Sequence, residues 1–302
     1  MAMKPKDASV LQISRTADAV LHIGFLFYSL LCILPVLLVV IVSITDGTAL
    51  VRDGYSLFPR KISLVAYTTM FSDPEQILRA YGVTLFITFV GTFLSVLVMC
   101  LYAYPISRKE FRHRSFFSFY IFIPMLFNGG LVPFYMVYTR LLHLKDSLWA
   151  LILPSVASAF YILMIRTFFT TTIPNEVLES AKIDGAGEGR VFLRIVLPLS
   201  LPVLATVGLF TTLGYWNEWY NSLIFIDSPD KVSIQYLMYN VMLTIQYLKT
   251  NTAAASVSNA YSFPSESLRM AMCVVGMGPI ILAYPFFQSY FVKGLTIGAV
   301  KG

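Results

Sequence analysis

Charge is what this 302-residue chain has least of. Asp, Glu, Lys and Arg make up 13% of it, about half the roughly 25% usual in soluble domains, which excludes an ordinary water-exposed globule. Cysteine and histidine are also scarce, at three each. Cys32, Cys100 and Cys273 lie within apolar stretches, and an odd number so placed excludes a disulfide framework and a metal cluster. They are expected to be small core hydrophobes. His22, His113 and His143 stand far apart at the edges of those stretches, so neither a metal site nor a catalytic triad is expected. A phosphate-binding loop needs Gly-x4-Gly-Lys-Ser/Thr, and the chain has no Gly-Lys dipeptide. "GAGEG" (Gly185 to Gly189) lacks dinucleotide-binding spacing and follows no strand. The chain is not expected to be an enzyme.

What it has instead is oil. Hydrophobic residues make up 57% and the mean hydropathy is +0.72. Six stretches of at least nineteen residues are free of Asp, Glu, Lys and Arg: 19–45, 80–107, 115–139, 147–165, 195–217 and 270–292. A bilayer core of about 30 Å takes roughly 20 apolar residues of helix, and helices satisfy their own backbone inside hydrocarbon. The expectation is an all-α membrane protein with six transmembrane helices. The first stretch is too long for the core of a cleavable signal and no Ala-x-Ala-like site follows it.

Basic residues set the orientation. With the N-terminus inside, segments 1–18, 108–114, 166–194 and 293–302 hold 13 of the 22 Lys and Arg. Segments 46–79, 140–146 and 218–269, though longer in total, hold nine. The positive-inside rule then places both termini in the cytoplasm, and the net charge of +6 reflects topology and not nucleic-acid binding. Residues 1–18 form a short cytoplasmic lead-in, and 19–302 the transmembrane domain. The 46–79 segment contains "SLFPRKISLVAYTTMF", amphipathic enough to lie along the membrane surface, but an ordinary interfacial connector is the favoured reading. The 218–269 segment, mainly polar and small, is the longest outer loop, with 249–267 its most loop-like part. Pro124, Gly129, Gly130 and Pro133 make the third stretch a poor straight helix, either as a packing kink or as a break lining a cavity.

One polar stretch interrupts the oil. Pro174, Asn175 and Glu176 start a helix, and Val177, Leu178, Ala181 and Ile183 give it an apolar side. Gly185 ends it, being able to take the left-handed conformation. A second short helix runs from about Glu188 toward Pro198. This hairpin, 174–198, is much longer than the other inner connection, and its small-residue turn lets a partner approach the backbone. A short helix lodged in a partner's cleft is a recurrent recognition mode.

Within it, Glu179-Ser180-Ala181, Gly185, Ile195 and Leu197-Pro198 are spaced as in the signature Glu-Ala-Ala, three residues, Gly, nine residues, Ile, one residue, Leu-Pro. The only departure is Ser180 for Ala. The chain thereby resembles the permease subunits of bacterial ABC importers. Its length and six helices resemble the sugar-importer branch that includes maltose permeases. Phe127 to Phe169 more narrowly resembles permeases for oligosaccharides derived from polygalacturonate or alginate. The resemblance implies that the hairpin is the coupling helix, with Glu179, Ser180, Ala181, Asp184 and Gly185 at or near an ATPase. It implies a second homologous permease, two ATPase subunits that bind ATP and Mg, and an extracytoplasmic solute-binding protein. It also suggests that part of 249–267 reaches into that binding protein.

For the substrate, "LGYWNEWYNSLIF" (Leu213 to Phe225) is the informative stretch. Aromatic faces stack on sugar rings, and amides match hydroxyls. An interfacial aromatic belt explains Trp and Tyr equally well, but Asn217, Glu218 and Asn221 at that depth need a partner or a watery cavity. Trp216 and Asn217 match a pair frequent in the family. The expected pathway residues are Trp216, Asn217, Glu218, Tyr220 and Asn221, with Asn128 beside the glycine break. No Lys or Arg lies deep in any hydrophobic stretch, so an acidic oligosaccharide would draw its cationic contacts from the second permease or rely on polar groups and water; a neutral one would need none. An ion-coupled secondary transporter is the rival, but it needs ionisable groups near mid-membrane, and these stretches have none.

Overall fold

The computed structural model describes residues 15–250, 265–281 and 285. The lead-in 1–18, the loop 249–267, both termini and the last hydrophobic stretch therefore fall wholly or partly outside the described residues. Among the described residues there is no strand, only an isolated bridge between Thr45 and Ile62. The chain divides into two units, 1–70 with 251–274, and 71–250 with 275–302.

In the first unit, α1 (Arg15–Ser43) runs 29 residues. Only 6% of its most apolar window is buried, so lipid or protein must cover it. Cys32 is accordingly exposed, as is Cys273. Only Cys100, at 2% exposure, is the core residue expected of all three. After α1 come α2 (Gly47–Asp53) and α3 (Val65–Met70). The Asp46 carboxylate caps α2 by accepting from the amides of Thr48 and Ala49, and Lys61 pairs with it at 3.1 Å. The Thr48 hydroxyl first, then Lys61, pull its pKa down to about 2.

The second unit is built on α4 (Pro74–Ser107), 34 residues without a break. Asp73 caps it and Pro74 suits its first turn. The other spans are bent. α5 (Arg114–Leu126) meets α6 (Leu131–Met136), prolonged by a π-turn to Leu141, at 116°. Gly130, with φ +84°, and an Asx turn in which Asn128 Oδ1 accepts the Gly130 amide at 2.8 Å make that corner. α7 (Trp149–Ile152) with its 3-10 extension meets α8 (Ala159–Thr171) at 50°. α9 (Asn175–Ile183) and α10 (Glu188–Val191) form the hairpin. A π-turn, Phe192–Val196, and α11 (Leu197–Leu199) lead into α12 (Leu201–Trp216) through a 77° bend. Pro198 has no amide to donate to the Arg194 carbonyl, and the Leu197 amide bonds Phe192 five residues back instead.

Among the described residues, two helices, Thr16–Ser43 and Pro74–Ser107, are long and apolar enough to cross a bilayer alone, and counting each of the three bent pairs as one span brings the number to five. The sixth stretch begins within α15 (Ser265–Ile281). Among the described residues that follow α12 the chain is largely helical where a polar loop was expected: α13 (Tyr220–Phe225) and α14 (Ile234–Thr250). Ile234, Leu237, Met238, Val241 and Ile245 keep helical spacing there, and Ile234 and Ile245 are buried.

α4 packs chiefly against α12 and α8. Toward the hairpin, Met99, Ala103, Ile162, Phe169, Val196 and Val207 share one apolar core. Toward the other end, Ile87, Leu151, Ile152, Tyr215 and Ile226 share a second.

Candidate functional site

The hairpin is held by its own backbone. Gly185 takes φ +78°, the Ala186 amide donates to Ala181 and the Gly185 amide to Lys182. These are the two bonds of a Schellman stop. Leu178 and Ala181 turn into the core with Val191 and Phe192. Val177 and Ile183, expected on the same apolar side, instead face out, Ile183 at 86% exposure. Leu178 and Ala181 stand three apart on one helix face, and Ile183, five beyond Leu178, has turned away from it. Glu179, Ser180, Asp184 and Gly185 are all exposed. The hairpin thus presents an apolar knob, two carboxylates and bare backbone on a rigid turn.

Behind that surface lie residues the sequence did not single out. Tyr104 Oη donates to Glu188 Oε2 at 2.5 Å, and Lys182 Nζ lies 2.9 Å from Glu188 Oε1. Glu188 in turn raises the pKa of Lys182. The Arg108 guanidinium sits over the Tyr104 ring, 4.6 Å from its centre.

At the other end of the second unit, Trp216 is 2% exposed and its indole N–H donates to the Gly276 carbonyl at 2.9 Å. The Glu218 carboxylate accepts from the Asn221 amide at 2.6 Å and from Asn221 Nδ2 at 2.9 Å. The Glu218 carbonyl accepts from Ser233 Oγ at 2.5 Å. Asn217 Nδ2 bonds Leu213 of its own helix, and Asn217 and Tyr220 are exposed. Tyr220 adjoins Trp219, whose ring lies 4.7 Å from Tyr239. Asn128 is exposed in the corner before α6, bonded to Gly130. The expected pathway residues thus divide into inward-turned Trp216, Glu218 and Asn221 and outward Asn217, Tyr220 and Asn128.

Nearby, Asp146 holds φ +55°. Its carboxylate accepts from the amides of Asp227 and Ser228, the Ser228 hydroxyl and Lys231 Nζ. Lys231 and Ser228 hold its pKa well below the usual carboxylate range.

Bent apolar spans packed on one straight helix, with a polar hairpin at one end, describe a helical membrane protein with a polar turn built out from its bundle. The family model described as "binding-protein-dependent transport system inner membrane component" matches residues 11–297, and the chain belongs to that family, the permease subunits of ABC importers. It is 35% identical over 96% of its length to the polygalacturonan/rhamnogalacturonan transport system permease protein YtcP of Bacillus subtilis, covering 99% of that protein. It is 38% identical over 89% of its length to Protein LplC of the same organism, covering 90% of that protein. Among solved structures it is similar to a chain of a bacterial ABC transporter involved in the import of the acidic polysaccharide alginate. That match has a TM-score of 0.76 and 25% identity, over 96% of this chain and all of the other. The fold is the ABC importer permease fold, and the protein is an inner-membrane component.

Proposed function

We propose that this permease imports oligosaccharides, of the acidic pectin or alginate type, by alternating access. Ile183, standing out at 86% exposure beside Asp184 and Gly185 on a locked turn, carries the reading. On that locked turn it offers a partner's cleft a short helix end with an apolar side chain to seat. In this reading two ATPase subunits, binding ATP and Mg, grip the hairpin of this chain and that of a second homologous permease. Glu179, Ser180, Ala181, Asp184 and Gly185 lie at or near the contact. ATP-driven closure moves the hairpins and opens the helices outward, and ADP release restores the inward-facing cavity. A solute-binding protein delivers the sugar on the outer side, helped by part of the 249–267 loop. Both termini then lie in the cytoplasm.

The cargo class rests on the relatives: YtcP is described for polygalacturonan and rhamnogalacturonan, and the solved transporter for alginate. Asn217, Tyr220 and Asn128 are the pathway-facing residues, while Trp216, Glu218 and Asn221 hold the turn that presents Asn217 and Tyr220. The test is purification in mild detergent, then ATPase assay with binding protein and candidate sugars. Co-purification of an ATPase and a second permease, with turnover raised by oligogalacturonate or oligoalginate, is expected. Stimulation by neutral oligosaccharides alone would overturn the acidic cargo. Sugar uptake into vesicles by this protein alone, without ATP, would overturn the reading altogether.

A further inference from the structure

Three elements meet at one carboxylate. Lys182, near the end of α9, reaches Glu188 Oε1, Glu188 itself begins α10, and Tyr104, in the last turn of α4, reaches Oε2. Both legs of the hairpin are therefore pinned to the end of α4. The Tyr104 ring is fixed in turn, with the Phe192 ring 4.9 Å away and Arg108 over its face. A cavity of about 100 Å³ separates the Arg108 turn from α9, so this contact bridges what packing leaves open.

As a stabilising ion pair the contact counts for little. Lys182 and Glu188 keep 39% and 56% of their side chains exposed, and such pairs contribute little in water. Its position matters more. The hairpin has a covalent route into the bundle through the π-turn and the 77° bend before α12, and a bent helix with a loosened turn takes up displacement by flexing. α4 is unbroken for 34 residues. Near its far end Thr84 Oγ1 accepts the Ile234 amide at 2.9 Å and Tyr81 Oη donates to the Val275 carbonyl at 2.6 Å. In between, Ser95 meets the Tyr215 hydroxyl at 3.0 Å. The straight path from the hairpin to the opposite end of the second unit is α4, and its polar attachment, beside the apolar packing of Phe192 on Tyr104, is the Glu188 carboxylate.

We infer that Tyr104, Glu188 and Lys182 form a latch that makes α4 the strut carrying hairpin displacement across the membrane. These are positioning residues, acting through α4 and not on sugar or nucleotide. The inference rests on the reading that an ATPase pushes the hairpin.

The test uses the whole importer in proteoliposomes, with Tyr104→Phe, Glu188→Gln and Lys182→Met compared for ATP hydrolysed per sugar transported. Tyr104→Phe keeps the ring and its packing, so it reports on the hydroxyl without threatening the fold. The expected result is that the ATPase still co-purifies while ATP consumed per sugar rises several-fold. The Tyr104→Phe, Glu188→Gln double variant should be no worse than Glu188→Gln alone, and the exchange Lys182→Glu, Glu188→Lys should recover part of the coupling. An unchanged ratio in Tyr104→Phe and Glu188→Gln with the ATPase bound would overturn the latch and leave docking intact. A separate arm asks whether Ile183→Cys cross-links to the ATPase in an otherwise unaltered importer; failure there overturns the docking reading and the latch with it.

Discussion

The phenol of Tyr215 donates to the main-chain carbonyl of Ile152 at 2.8 Å, inside the core and 63 residues away in the chain. Ser95 Oγ lies 3.0 Å from the same oxygen. One hydroxyl therefore joins α4, α7 and α12. Tyr215→Phe leaves a carbonyl and a hydroxyl buried without it, which costs about 1–3 kcal/mol. A lower melting temperature in detergent, with the protein still inserted, is the expected outcome; an unchanged one would show that the joint contributes nothing.

Gly91 exists for the same ring. A Cβ there would lie 2.7 Å from Tyr215 ring atoms, and the two hydrogen bonds keep the ring from yielding. Gly91→Ala should therefore destabilise by about 1–3 kcal/mol, and Tyr215→Leu in the same chain should recover part of the loss. Thermal melts of the two variants decide it.

Gly185 poses the opposite case. Nothing lies within 4 Å of a Cβ added there, yet its φ of +78° is left-handed. Gly185→Ala should cost only about 1–2 kcal/mol in strain. Gly185→Pro cannot adopt that φ and loses the amide bonded to Lys182, so it should uncouple transport while the helices stay inserted. Glu179→Lys should do the same by reversing charge on the exposed surface proposed to meet the ATPase. Full stimulation of ATPase activity by binding protein in both variants would sink the coupling role of the hairpin.

Acid should loosen the Asp146 knot. Its folded pKa lies below that of an unfolded aspartate, so its contribution is full above the unfolded value of about 3.9 and is lost as pH falls through the folded one. The melting-temperature gap between the unaltered protein and Asp146→Asn should be constant from about pH 8 to pH 5 and close below that. A gap that widens in acid would contradict the assignment.

Hydrophobicity told most of the fold. The second stretch ends at Ser107, where α4 ends, because the apolar run and the helix stop at the same basic turn. Gly185 as a stop and the glycine break near Asn128 were legible because each needs a backbone few residues adopt. The helical 234–250 segment was hidden by its polar faces. Pairs such as Tyr104 with Glu188 and Asp146 with Lys231, 84 and 85 residues apart, leave no mark in any local spacing. Glu218 shows a subtler limit: its carboxylate finds donors on Asn221, three residues on, and a sequence does not say whether a polar group is answered locally or by a cavity.

The π-turns at Val137–Leu141 and Phe192–Val196 have a bearing on motion. Each is one surplus residue wound into a helix, a dislocation that cannot be annealed away, only passed along. Moving it by one position trades one carbonyl partner for the next and rotates the intervening side chain by about 100°. Both dislocations stand on spans that are already bent, one before the hairpin and one in its second leg. Among the described residues the second unit thus holds two places where a helix can swivel a residue without melting.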